Sequence, residues 1–483
     1  MDEFLTNIVE KSIVNKNIII NRIKNPITGK KIPRRSFFIL LKKYLDDFFN
    51  SGSEPRMVGM AGLRGTGKTT LLWQIAEYAL NEKHSRVFFF NVNEIRTAGY
   101  SLYETLKAFE KHILQKSFKE LSETILLLFD EVHDDEDWAR TLKILYDEAP
   151  TAFILCTGSS ALLLNQTADL ARRMKIERIY PFRYIEFITA KSFLEKKSTI
   201  FPQKGLEIDL KQIIFYSNSV NDTYNKLLEK KNIIQDYFNR IHKTFSVNEK
   251  KNLTSEYIKY HNIPAFIVYR EKSLILDSIL ELFRRVIDED IRKLKHNITL
   301  PSDIILRLLL QLAISDEINL DTLSQKTGIK KNHIDEIIDL LNKAELINIL
   351  IPYGGSETRI WKNKKIFFMS PSLRLALLSI IYGSKIPDFF TYKLYEDLVA
   401  MYLVKTLNNG IVSIAQHKNS KIPDFIIETM DKPLAIEVGI GKTQTNQFSD
   451  IECRYGILIS DKIDDISVQY NYIRLPFEWF LLL

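Results

Sequence analysis

The sequence predicts an α/β protein whose N-terminal part is a parallel sheet joined by crossover helices. Three observations carry that reading. Short apolar runs of strand length alternate with helical patterns, as βαβ units require. One run, Met57–Ala61, leads straight into the glycine-rich segment Gly62-Leu63-Arg64-Gly65-Thr66-Gly67-Lys68-Thr69-Thr70. Another, Ile125-Leu126-Leu127-Leu128-Phe129, is apolar without a break and ends in Asp130 and Glu131, as a strand buried on both faces does.

The glycine-rich segment has the form G-x-x-x-x-G-K-[ST]. A helical pattern with Leu71, Leu72, Ile75, Ala76 and Ala79 follows it. Between a strand and a helix, such a loop turns its backbone N–H groups toward phosphate oxygens, and the helix N-terminus adds a favourable dipole. The expected nucleotide-binding residues are Gly62, Arg64, Gly65, Thr66, Gly67, Lys68, Thr69 and Thr70. Lys68 is expected to reach the β- and γ-phosphates and the Thr69 hydroxyl to ligate Mg²⁺. Ligands of open α/β sheets bind outside the carboxyl ends of the strands, where Asp130 and Glu131 fall. Asp130 then completes the Mg²⁺ site and Glu131 acts as general base on the attacking water. The expected catalytic set is Lys68, Asp130 and Glu131, with ATP and Mg²⁺ as cofactors.

Composition bounds the rest. At 483 residues the chain exceeds one ordinary core, so two to four domains are expected. It is 45% hydrophobic and 26% charged, a folded rather than a disordered balance. The net charge of +7 is compatible with a nucleic-acid partner without requiring one. Two cysteines, Cys156 and Cys453, argue against a disulfide framework and for a reducing compartment. No apolar run reaches the length of a membrane span, and Met1-Asp2-Glu3 does not open a signal peptide. The expectation is a cytoplasmic protein without a membrane partner.

Taken in order, residues 1–55 read as a helical lead-in, marked by Phe37-Phe38-Ile39-Leu40-Leu41. They include the basic cluster Lys30-Lys31-Ile32-Pro33-Arg34-Arg35, a solvated loop or a phosphate-contacting patch. Residues 56–190 hold the nucleotide-binding core. Strands are expected at 86–92, 125–129 and 152–157, with helices at 102–115, 138–146 and from 162 onward. The strand at 152–157 ends in Thr157-Gly158-Ser159-Ser160, where Thr157 or Ser159 is placed to sense the γ-phosphate or to cap a helix. Arg172, Arg173 and Arg178 are the candidates for an arginine finger. A finger supplied by a neighbouring copy would make the protein a homo-oligomer.

Residues 191–300 read as helical and carry no chemical motif. In 301–375, helices at 304–314, 320–326 and 332–344 precede strands at 347–351 and 366–369. Three helices and a hairpin make the winged-helix arrangement. The helix after Gly328 is then the recognition helix, opening with Lys330, Lys331, Asn332 and His333; such modules bind DNA or serve as interaction or lid modules. Residues 376–483 read as a helix at 392–407, strands at 411–416, 423–428 and 435–438, a polar helix at 443–451 and a strand at 455–460. Glu396, Asp424 and Glu437 fall where three carboxylates could converge near a lysine and bind Mg²⁺ for phosphodiester hydrolysis.

Residues 50–190 resemble the AAA+-related P-loop ATPases of bacteria and archaea, built as ATPase, winged helix and C-terminal domain. The resemblance rests on Gly62 to Thr70, Leu128-Phe129-Asp130-Glu131-Val132-His133, Trp138, Leu142-Lys143 and Tyr146-Asp147. Thr157-Gly158-Ser159-Ser160 and Pro181-Phe182-Arg183-Tyr184-Ile185-Glu186-Phe187 follow in order. It implies ATP hydrolysis. The tail resembles the restriction-endonuclease-like PD-(D/E)xK fold, with Pro423-Asp424 as the first half of that motif and Glu437 as the acid of E-x-K. Gly439 stands where the lysine belongs, and the nearest lysine is Lys442. The implied nuclease-type site is Glu396, Asp424, Glu437 and Lys442. The expected whole is an ATPase that couples nucleotide state to a winged helix and a nuclease-like domain, with DNA as partner. The alternatives are an ATP-switched interaction protein without nuclease activity and an ATP-gated DNA endonuclease.

Overall fold

The computed structural model describes residues 3–25, 28–83, 85–158, 168–291, 301–315, 318–361, 363–383, 385–407, 409–415 and 421–483. The chain forms two compact units. The first is Met1–Tyr180 with Glu289–His296; the second is Pro181–Asp288 with Asn297–Leu483.

The first unit is built on five parallel strands: β1 (Met57–Ala61), β2 (Arg86–Asn91), β3 (Ile125–Asp130), β4 (Ala152–Gly158) and β5 (Lys175–Arg178), in the order β2-β3-β4-β1-β5. Every residue of β1, β3 and β4 is buried, which is why these strands read as unbroken apolar runs. Side chains alternate between faces. Ile125, Leu127 and Phe129 join one core with Phe88, Phe90, Phe109 and Trp138. Leu126 and Leu128 join another with Phe38, Leu45, Phe48, Leu72, Trp73 and Phe153. The lead-in helix Phe37–Ser51 and the helix Lys68–Glu82 help to build this second layer.

Several boundaries move from the sequence reading for local reasons. The strand expected to 92 stops at Asn91, whose side chain accepts the Glu94 N–H at 3.2 Å and caps the helix Val92–Thr97. The helix expected at 102–115 opens on a Ser101–Glu104 capping box, stops as an α-helix at Phe109 and continues as a π-helical turn, Glu110–Leu114. Only Ala168–Ala171 of the helix expected from 162 onward lies within the described residues. β5 carries no unbroken apolar run and was not foreseen.

The second unit opens with helices Tyr184–Leu194, Leu206–Tyr216, Val220–Thr244 and Lys272–Arg285. Helices Ser302–Ile314, Leu320–Thr327 and Lys331–Lys343 follow, then the antiparallel pair β6 (Ile347–Leu350) and β7 (Lys365–Phe368). A short helix, Ser356–Trp361, lies in the connection between those strands. The C-terminal sheet has six strands: β8 (Val412–Ser413), β9 (Phe425–Ile427), β10 (Leu434–Val438), β11 (Gly456–Ser460), β12 (Ser467–Gln469) and β13 (Tyr472–Pro476). Their order is β12-β13-β11-β10-β9-β8. β12 and β13 add to the strands foreseen.

Residues 443–451 form turns and not the expected polar helix. Their hydroxyls bond locally instead: Thr445 Oγ1 accepts the Gln447 N–H at 3.1 Å, and Ser449 Oγ donates to the Asn446 carbonyl at 2.9 Å. Position 375, the expected end of the winged helix, falls inside the helix Pro371–Tyr382. Arg374 on that helix is buried with Asp397 of the helix Phe389–Leu407. Its Nε lies 2.6 Å and its Nη2 2.8 Å from the Asp397 carboxylate oxygens, and Nη1 donates to the Ala313 carbonyl at 2.9 Å. Asp397 also accepts the Phe368 N–H of β7 at 2.8 Å. Phe367 of β7 packs on Phe425 of β9 with ring centroids 5.0 Å apart, so the hairpin and the C-terminal sheet share a core. No helix among the described residues is long and apolar enough to cross a membrane.

Candidate functional site

The chain leaves β1 into a closed loop. A Cβ on Gly62 would stand 2.5 Å from the Ile179 carbonyl oxygen, so the loop entry admits no side chain. Gly67 sits at φ 89°, in the left-handed region that glycine reaches without strain, and opens the helix Lys68–Glu82. Thr66 draws the loop together, its Oγ1 donating to the Leu63 carbonyl at 2.8 Å. The buried Lys68 ammonium donates to the Gly62 carbonyl at 2.7 Å and the Leu63 carbonyl at 3.3 Å.

The ends of β3 and β4 complete the arrangement. Thr69 Oγ1 donates toward both Asp130 oxygens, at 3.1 and 3.0 Å. Thr157 Oγ1 donates to Asp130 Oδ1 at 2.5 Å and accepts the Glu131 N–H at 2.9 Å. Lying at the end of β4, between β1 and β3, this threonine ties the two acids into one network. Glu131 itself has φ 56°, a conformation that costs a non-glycine residue energy and that the surrounding bonds must hold. His133 Nδ1 lies 3.3 Å from Glu131 Oε2.

Burial raises the Asp130 pKa, and the charge of Glu131 adds to the rise, while the Thr157 and Thr69 hydroxyls and Lys68 oppose it. Glu131 is likewise raised by burial, against the pull of Lys68 and Arg64, with Asp134 and Asp290 adding to the rise. Arg64 Nη2 is 2.7 Å from Glu289 and 2.9 Å from Asp290.

This is the geometry of a loop shaped for phosphate with two acids beside it, and a family comparison falls on the same residues. Residues 54–188 match the profile of the AAA domain. These residues, most of them in the first unit, thus resemble an AAA domain. Residues 264–382 match a domain of unknown function (DUF8612). An uncharacterized protein, MJ1637, of Methanocaldococcus jannaschii is 29% identical over 478 residues, covering 96% of this chain and 93% of its own. A second uncharacterized protein, from Haemophilus influenzae, is 22% identical over 434 residues, covering 85% and 92%. Among solved structures, the Aeropyrum pernix Orc1 protein in complex with DNA aligns at 12% identity and TM-score 0.31, over 79% of this chain and 99% of that one. The replication initiator DnaA bound to AMPPCP and single-stranded DNA aligns at 17% identity and TM-score 0.28, over 66% and 93%.

Around the AAA domain's loop the structure distributes the remaining candidates unevenly. Thr157 stands in the network. Ser159 lies outside the described residues. Arg173 is held by Asp147, Nε to Oδ1 at 2.8 Å and Nη2 to Oδ2 at 3.1 Å. Arg172 is exposed, and Arg178 ends β5, pairing in register with Ala61. The basic cluster proves to be a brace. Lys31 and Arg34 pair with Glu77 of the helix Lys68–Glu82. Arg35 Nη1 donates to the Thr66 carbonyl at 2.6 Å and Nη2 to the Tyr180 carbonyl at 2.9 Å. Sequence reasoning had no signal for the Arg35 contacts, which span as many as 145 residues.

In the second unit, Asp424 lies just before β9 and accepts the Val438 N–H at 2.8 Å. The buried Glu437 of β10 takes a bond from Lys442 Nζ at 2.9 Å. Glu396 accepts from Lys365 Nζ of β7 at 2.7 Å. Burial, with the charges of Glu396 and Glu437, raises the Asp424 pKa well above the usual carboxylate range, so these acids feel one another. Among the described residues, no three His, Cys, Asp or Glu side chains are grouped to hold a metal ion. At Gly439, the position a lysine would take in the nuclease motif, a Cβ would lie 2.5 Å from Leu458 Cδ1 and 3.3 Å from Lys442 Cβ. The ammonium group beside Glu437 is that of Lys442. Lys365, distant in sequence and on another element, was missed. Lys330, Lys331, Asn332 and His333 are exposed.

Proposed function

We propose that the protein binds and hydrolyses Mg²⁺–ATP in its AAA domain and that the nucleotide state is expressed on DNA through the second unit. The observation that carries the first half is the single network of Thr69, Asp130, Thr157 and Glu131 beside the Lys68 loop. Lys68 now spends its protons on loop carbonyls, acceptors that a triphosphate outcompetes by charge. Thr69 and Asp130 are the residues that fit a hard, oxygen-loving cation. Bound Mg²⁺ supplies neutralising charge to the phosphate oxygens. Glu131 takes the proton of the attacking water, and the raised affinity for protons that burial gives it suits a base. Calorimetric titration with ATP and Mg²⁺ tests this. Wild-type uptake that is lost in Lys68→Ala supports the reading; no uptake by the wild type sinks it.

The DNA half rests on the helices Ser302–Ile314, Leu320–Thr327 and Lys331–Lys343 with the β6–β7 hairpin, which we read as a winged helix. The exposed residues opening its last helix are two lysines, an asparagine and a histidine. The C-terminal sheet, with Glu396, Asp424, Glu437 and Lys442, we read as nuclease-like. One observation favours binding over cutting there: Glu396 is already paired with Lys365 of the hairpin, a lysine outside the nuclease motif. Charge reversal of Lys330 and Lys331 is expected to weaken binding to duplex DNA and to lower the slope of log affinity against log salt by about 1 per lysine. Supercoiled DNA incubated with Mg²⁺ is expected to stay intact. Cleavage that disappears in Asp424→Ala and Glu437→Ala would establish the endonuclease alternative instead.

A further inference from the structure

Arg64 is the third residue of the phosphate loop, and its guanidinium stands among acids. Nη2 lies 2.7 Å from Glu289 Oε2 and 2.9 Å from Asp290 Oδ1, and Nε lies 3.4 Å from Asp290 Oδ2. Asp290 is buried, and Glu289 is exposed. Arg64 is also near enough to Glu131 for each to feel the other's charge, and Lys68 acts on the same carboxylate. The loop thus carries two cations, Arg64 and Lys68, whose charges both act on Glu131. Both are engaged by acceptors of the protein itself.

Two acids on one arginine leave the pair with surplus negative charge beside a loop shaped for a highly anionic ligand. A triphosphate competes with those acids for the guanidinium, and Arg64 is the one arginine carried by the loop itself. We propose that Arg64 is the arginine that touches the transferring phosphate, acting within its own chain, and that Asp290 with Glu289 is its resting partner when no triphosphate is bound. The proposal rests on the reading of this site as an ATPase.

In that reaction the water oxygen bonds to the γ-phosphorus while the bond from phosphorus to the β–γ bridging oxygen breaks. The bond's electron pair leaves with ADP, and the water proton passes to Glu131. Negative charge builds on the leaving oxygen and on the γ-oxygens, where a forked guanidinium is most effective.

The test compares wild type, Arg64→Ala, Arg64→Lys and Asp290→Asn for Mg²⁺-dependent binding of ADP and of ADP with aluminium fluoride, and for turnover. Arg64→Ala is expected to lower kcat roughly 10³-fold with KM nearly unchanged. It should also lose the wild type's preference for ADP–aluminium fluoride over ADP. Arg64→Lys restores only part of that preference, because it keeps the charge and loses the fork. Asp290→Asn, by removing one of the two charges that hold the guanidinium, tightens ADP–aluminium fluoride binding. If Arg64→Ala and Asp290→Asn both weaken the analogue and lower the melting temperature alike, the pair is only a brace and the proposal is overturned. Unchanged kcat in Arg64→Ala overturns it while leaving the ATPase reading intact. A wild type that takes up no nucleotide, in agreement with Lys68→Ala, ends both.

Discussion

At the scale of single residues, Glu131 shows how backbone and side chain serve one purpose. Its positive φ turns the chain at the end of β3, and the Thr157 hydroxyl receives its N–H. Glu131→Gln keeps the size and the backbone bond but cannot take a proton. Phosphate release is expected to fall roughly 10²–10⁴-fold, with ATP uptake by calorimetry retained. A second residue bears on stability. His261 of the second unit is partly buried and stacks on Phe187 with ring centroids 6.1 Å apart. Burial, with Lys191 nearby, lowers its pKa below 6.5. Unfolding frees the ring to take up a proton at that pH, which the folded state resists. Stability from this group is therefore full above pH 6.5 and declines as the pH falls below it. His261→Phe should flatten the loss of melting temperature between about pH 6.5 and 5 in thermal scans.

At the scale of elements, the loop between β1 and the helix Lys68–Glu82 depends on close approach. Gly62→Ala sets a methyl group against the Ile179 carbonyl at 2.5 Å, a backbone atom that cannot swing aside. Weaker ATP uptake and a loss of about 1–3 kcal/mol in denaturant unfolding are expected. In the second unit, Arg374→Ala leaves Asp397 buried without its cation, at a cost of about 3–5 kcal/mol in the same measurement. The sequence made the loop, the acids of β3 and the hydroxyl of β4 legible because each is written in a contiguous stretch whose period and composition reveal its element. β5 was hidden: its burial is partial and its apolar signal weak. The turns at 443–451 were mistaken for a helix because polar spacing says little about whether hydroxyls will bond their own backbone. Glu396, Asp424 and Glu437 were legible as residues, but Lys365 was not. Its place beside Glu396 is set by how the hairpin folds back, and no local pattern records that.

At the scale of the whole molecule, the chain divides into two compact units. The boundary after Tyr180 carries no run of glycine, proline or serine, and the helix Pro371–Tyr382 passes without a break through the junction expected at 375. Long-range burial, such as that of Arg374 with Asp397, decides which segments share a core, and composition is blind to it. Duplex binding through the second unit is expected to weaken steeply with added salt, in line with the modest positive charge of the chain. Fluorescence anisotropy across a salt series checks this.

The first unit is written in two instalments, 226 residues separating Arg64 from Asp290. On the ribosome the five strands emerge first, while the acids that restrain Arg64 are still untranslated. For that interval the loop carries an arginine without the carboxylates that pair with it in the finished fold, so the first unit is completed only after much of the second has been made.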